Sequence, residues 1–137
     1  RIEAGRHSHR VLASMDVAPT ILEAAGVKYD GPIDGISFLD TLLGKKEKIG
    51  TRDLFFFRRE GGDRYGGQTI SAVRRGDWKL LQNSPWDPFE LYNVKTDPRE
   101  TNERSRQHPD VYRALLRAMR KQIQRNGAVP WQKPVGR

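Results

Sequence analysis

The stretch Ile70-Ser71-Ala72-Val73-Arg74-Arg75-Gly76-Asp77-Trp78-Lys79-Leu80-Leu81-Gln82 decides the fold. It reads as two short strands joined by a turn. Ile70, Ala72 and Arg74 share one face, and Ser71, Val73 and Arg75 the other. Trp78 and Leu80 then alternate against Lys79 and Leu81. Gly76-Asp77 stands where a two-residue hairpin needs a residue that tolerates positive φ. On this reading Trp78 is a core anchor of the sheet. The stretch also contains Arg75-Gly76-Asp77, a tripeptide known from cell adhesion. An adhesion loop presents Arg and Asp on a mobile tip. Here strands flank the tripeptide and Trp78 follows at once, so it reads as a turn.

Working outward, Leu54 to Arg58 (LFFFR) is the most apolar short run and reads as a buried strand. Phe89 to Tyr92 reads as another. Hairpin-length links between neighbouring strands imply an antiparallel sheet. Pro109 to about Gln124 carries Tyr112, Leu115, Leu116, Met119 and Ile123 at spacings of three and four, which is one apolar helical stripe, and Gly127 ends the helix. The expected fold class is α+β: about four antiparallel strands packed against a C-terminal helix over about 109–125. In Thr96-Asp97-Pro98-Arg99-Glu100 the spacing is that of a capping box opening a helix, with Asp97 as the cap.

Towards the N-terminus, Val11-Leu12-Ala13 reads as the end of a strand. Asp16 reads as the N-cap of a helix over about 16–25, with Pro19 in its first turn and Gly26 as its C-terminal stop. Residues 37–44 suit a short helix. Lys45 to Asp53 is a solvated connection and the best boundary, dividing the chain into 1–50 and 51–137.

The 137 residues carry a net charge of +8 and no cysteine. Disulfides, thiolate metal sites and a cysteine nucleophile are therefore excluded from this chain. The charge favours acidic partners: nucleic acid, sulfated sugars, anionic lipid or an acidic protein face. No apolar run approaches the ~18 residues of a membrane helix. The opening Arg1-Ile2-Glu3 lacks a methionine and a signal-peptide pattern, and reads as a cut edge of something longer.

Few groupings promise chemistry. His7-Ser8-His9 has a metal-ligand spacing, but zinc needs a third protein ligand and none is near. Glu60 to Gly67 (EGGDRYGG) is Gly-rich but lacks the Lys-Ser/Thr ending of a phosphate-binding loop. Arg58, Arg59 and Arg64 around those glycines suit an anionic ligand. The basic residues of the last helix are not interleaved with aromatics, so nucleic acid is not expected. There is no Ser/His/Asp arrangement and no paired-carboxylate signal.

Several pieces occur in an order that carries a resemblance: SMDVAPTILEAAGV at 14–27, DGISFLDTLLG at 34–44, RDLFFFRR at 52–59, AVRRGDWKLL at 72–81, ELYNVKTDPRETNE at 90–103 and HPDVYRALLRAMRKQI at 108–123. Together they resemble the C-terminal portion of an arylsulfatase-type, formylglycine-dependent sulfatase of the alkaline-phosphatase superfamily. The resemblance runs from Arg1 to about Ile123. It implies that 1–50 is the tail end of a large α/β domain, with the helix at its edge, and that 51–137 is the small C-terminal subdomain.

The same resemblance implies calcium and formylglycine for the longer enzyme, and no cofactor in this segment. The family's Cys/Ser-x-Pro-x-Arg motif is missing here, and Ser84-Pro85-Trp86-Asp87-Pro88 does not fit it. No catalytic residue is therefore carried onto this chain, which alone is expected to be inactive. The expected partners are the rest of the sulfatase chain and a sulfated carbohydrate, with no nucleic acid and no membrane. Arg58, Arg64 and Tyr65 are the candidate substrate-binding residues, because Arg can grip a sulfate and Tyr can stack on a sugar. Family members are often periplasmic, secreted or lysosomal. The competing reading is a stand-alone basic module binding nucleic acid or sulfated polyanions.

Overall fold

The computed structural model describes residues 2–45, 50–59 and 69–127, with the side chain of Arg59 left out. The chain divides into two compact units, Arg1–Gly50 and Thr51–Arg137.

In the first unit, a single 3-10 turn, Ser14–Asp16, leads into α1, Val17–Ala24, and a loop then runs to the short α2, Leu39–Leu42. Gly26 takes a positive φ of 68° after α1, as a C-terminal stop should. Val11 to Ala13 form no strand, and the Ala13 N–H goes to the Asp16 carboxylate rather than to a ladder partner. Asp16 sits at the N-cap position of α1 but does not bond forward to helix amides. Its carboxylate is fully buried and instead accepts from the Ala13 N–H (2.8 Å) and the Ile36 N–H (2.9 Å). The Thr20 hydroxyl donates to the Asp16 carbonyl (2.6 Å) and accepts from the Phe38 N–H (3.0 Å). The 27–38 loop is thus stapled to α1 by two polar side chains. Gly35 permits this approach, because a Cβ there would meet the Met15 carbonyl oxygen at 1.9 Å.

The second unit is a four-stranded antiparallel sheet in sequence order: β1 (Asp53–Arg59), β2 (Thr69–Arg75), β3 (Trp78–Gln82) and β4 (Glu90–Asn93). The register aligns Phe55, Val73, Leu80 and Leu91 in one row across the sheet. α3, Pro109–Gly127, lies over that row, and Val73, Leu80, Leu91, Leu115 and Met119 close the core. The α+β architecture and the helical stripe are therefore as the alternation of the sequence demands.

Two expectations are corrected here. Trp78 is half-buried and flanks the core rather than centring it. It falls one ladder step outside the Leu80 row, beside the turn, and its ring meets His108 at 4.6 Å between centroids. Asp97 opens no helix. Its carboxylate accepts from the Thr101 and Asn102 amides (both 2.8 Å), closing a loop, and Glu100 adopts φ 56° to reach Lys79 on β3 at 2.7 Å. That long-range ion pair, rather than a local cap, takes the Glu100 carboxylate.

Candidate functional site

The turn between β2 and β3 is the Arg-Gly-Asp tripeptide. Gly76 has φ 58° while Asp77 does not enter the positive region, the sign pattern of a type II′ hairpin turn. Arg75 grips Asp53 of β1 through two hydrogen bonds of 2.6 and 2.7 Å. Asp77 faces Lys95 at 3.6 Å. Both charges of the tripeptide serve the fold, in keeping with its reading as a turn. A shallow hollow of about 460 Å³ opens beside it, lined by Thr51, Arg75, Trp78, Val111 and Ala114.

The opposite end of the sheet gathers the residues of interest. Arg59 pairs with Thr69, so residues 60–68 leave and re-enter the sheet at adjacent strand ends. This link is longer than the two to five residues usual for a hairpin. Arg58 lies next to it, opposite Ile70, with its side chain exposed and on the face away from α3. Arg64 and Tyr65 lie outside the described residues.

The β3–β4 connection emerges at this same end, because Ser71 pairs with Gln82 and Leu81 with Glu90. At its tip Trp86 is 93% exposed. The Asp87 amide bonds to the Ser84 carbonyl (3.0 Å), and the Gln82 side chain donates to the Asp87 carbonyl (2.8 Å), so the tip is braced. The sequence reading passed over Trp86. The signal available for it was a tryptophan between Pro85 and Pro88, where neither neighbour lets it join a ladder.

The outer edge of β4 is occupied. The Leu91 N–H donates to the Glu103 carboxylate (3.1 Å) and the Leu91 carbonyl accepts from the Arg104 N–H (2.8 Å). Glu103 also accepts from the Ser105 N–H at 2.6 Å. Partial burial works to raise the Glu103 carboxyl, but these amide bonds outweigh it and hold it below the usual carboxylate range. Nearby, burial first, and then the hydrogen bond to Glu90, push the Tyr92 hydroxyl up to about 12.

A group depressed on folding contributes stability that is complete above its unfolded value, about 4.3 for glutamate. That contribution fades as pH falls through the lower folded value. Acid titration should therefore lower the melting temperature over this window, and Glu103→Gln should flatten that part of the profile. An unchanged profile in the variant would place the acid sensitivity elsewhere.

The described residues do not fit calcium, and the sequence offers no formylglycine precursor. The chain has no cysteine, and Ser84 is followed directly by proline rather than lying in Cys/Ser-x-Pro-x-Arg. Among the described residues no three His, Asp or Glu side chains converge. None of their helices is long and apolar enough to cross a membrane.

The profile of the N-sulphoglucosamine sulphohydrolase C-terminal family matches residues 1–128. The chain belongs to that family. An N-acetylglucosamine-6-O-sulfatase of Bacteroides thetaiotaomicron is 31% identical over 104 residues, 74% of this chain and 19% of the relative. Among solved structures, a protein in complex with its substrate D-glucosamine-2-N,6-O-disulfate superposes with a TM-score of 0.64 at 24% identity, over 80% of this chain and 23% of the other. A phosphonate monoester hydrolase of Agrobacterium radiobacter superposes at 0.62 and 21% identity, over 87% of this chain and 27% of the other. These likenesses bear on the fold alone. The chain spans less than a fifth of the curated relative's length.

Proposed function

We propose that this chain is the C-terminal part of a sulfuric ester hydrolase acting on a sulfated carbohydrate, in which it braces the enzyme and lends substrate contacts without supplying the nucleophile or the metal site. The family match across residues 1–128 carries this reading. The first unit is then the edge of the large α/β domain. In support, its buried described residues are Asp16 and Thr20, both polar, while Val17 and Ile21 of α1 stay exposed, as suits a piece completed by a larger body. The substrate contacts come from the sheet end bearing Arg58, the link with Arg64 and Tyr65, and the braced Trp86. Arg offers two parallel hydrogen bonds to an oxyanion, and aromatic rings pack on sugar faces.

The test uses the enzyme that carries this segment. Arg64→Ala should lower kcat/KM for a sulfated oligosaccharide about 10- to 100-fold, from ~1.5–3 kcal/mol per charge-assisted contact, and Trp86→Ala should lower it about 2- to 10-fold, from ~0.5–1.5 kcal/mol per aromatic contact. A small aryl sulfate should be affected much less. Equal losses on both substrates would signal folding damage, and no loss on either would leave the segment a purely structural cap.

A further inference from the structure

α3 carries Arg113, Arg117, Arg120, Lys121 and Arg125, and its one acid is Asp110. At 3.6 residues per turn the five cations fall within an arc of about 140°, centred opposite the buried Leu115 and Met119. All five are exposed. Arg113 meets Asp110. The other four make no hydrogen bond or ion pair with any described residue.

A merely solvated helix face usually mixes the two signs. Here Arg113/Arg117, Arg117/Lys121 and Lys121/Arg125 are like charges one turn apart, an arrangement that destabilises a helix. The helix dipole favours cations in the last turn, which accounts for Arg125 but not for Arg113 or Arg117. The row is about 18 Å long at 1.5 Å per residue, more than a single small anion can engage.

We infer that the outward face of α3 is a docking surface for a polysulfated carbohydrate chain, separate from the sheet end with Arg58 and Trp86. Charge complementarity along the row carries the inference, and Arg forks suit tetrahedral oxyanions. Bases would need aromatic platforms to stack on, and the row contains none. The choice of ligand rests on the proposed sulfated-carbohydrate substrate, whereas the surface itself does not.

The experiment measures binding of the 137-residue chain to a heparin oligosaccharide by calorimetry at several salt concentrations. Arg117→Glu/Lys121→Glu should weaken binding at least tenfold and reduce its salt dependence, with circular dichroism unchanged. Arg117→Gln/Lys121→Gln, which introduces no new charge, should weaken it in the same direction. Arg99→Glu/Arg106→Glu changes the net charge by the same amount on an exposed loop and should weaken binding far less.

Equal weakening by this control pair would mean that only net charge matters and would overturn the proposal. So would undiminished binding by either α3 variant. Binding of a single-stranded oligodeoxynucleotide of matched charge as tightly as the oligosaccharide would reassign the face to nucleic acid and overturn it too. In the full enzyme, the α3 variants should slow turnover of a long sulfated chain while leaving a sulfated disaccharide unaffected. Absence of turnover on both by the unaltered enzyme would defeat the hydrolase reading without touching the binding result.

Discussion

Leu80→Ala is expected to lower the unfolding free energy by about 2–5 kcal/mol, the range for truncating a fully buried leucine. Leu80 is fully buried, with Val73 and Leu91 beside it in the sheet row and Leu115 and Met119 completing the same core. Truncation leaves a void at the one place where sheet and helix both close, and neither can relax into it without breaking register. For a domain of this size that is a fall of roughly 10–30 °C in melting temperature. Phe56 is the control. It points to the other face and is 52% exposed, so Phe56→Ala should cost a fraction of this. Comparable losses from the two variants, read by calorimetry, would contradict the placement of the core.

Asp16→Ala should unfasten the loop of the first unit. It deprives two backbone amides, those of Ala13 and Ile36, of the acceptor they share. Each part-buried donor left without a partner costs about 1–3 kcal/mol. Asp16→Asn should recover only part of this, since an amide offers one acceptor oxygen where the carboxylate offers two. Hydrogen exchange gives the readout: the Ile36 and Phe38 amides should lose protection while that of Leu80 keeps it. Unchanged protection at Ile36 would show that the loop is held by something other than Asp16.

Much of the second unit was legible in the sequence because its signals are local. Period-two alternation placed β2 and β3, and the positive φ wanted at Gly76 placed their turn. Spacings of three and four placed Leu115 and Met119 on the inner face of α3. What misled was equally local. Asp97, Pro98 and Glu100 fit a capping box letter by letter, yet Glu100 is claimed by Lys79 from β3, a partner that no window of the sequence contains. Trp78 has the size of a core residue, but its position beside the turn left it at the rim. At the candidate site, residue types named Arg58, Arg64 and Tyr65 as chemistry. Only the register revealed that Trp86, on a different connection, emerges at the same end of the sheet.

Glu103 and Arg104 have a consequence for how the molecule keeps to itself. A sheet ordinarily offers two open margins on which another strand can nucleate, and fibrils grow from such margins. Here the margin at β4 is occupied by a carboxylate and a backbone amide of the same chain. Among the described residues the margin at β1 has no partner other than β2, and it carries the run Leu54 to Phe57. A strand adding at β4 must therefore first displace Glu103 and Arg104, whose bonds to Leu91 already fill that margin.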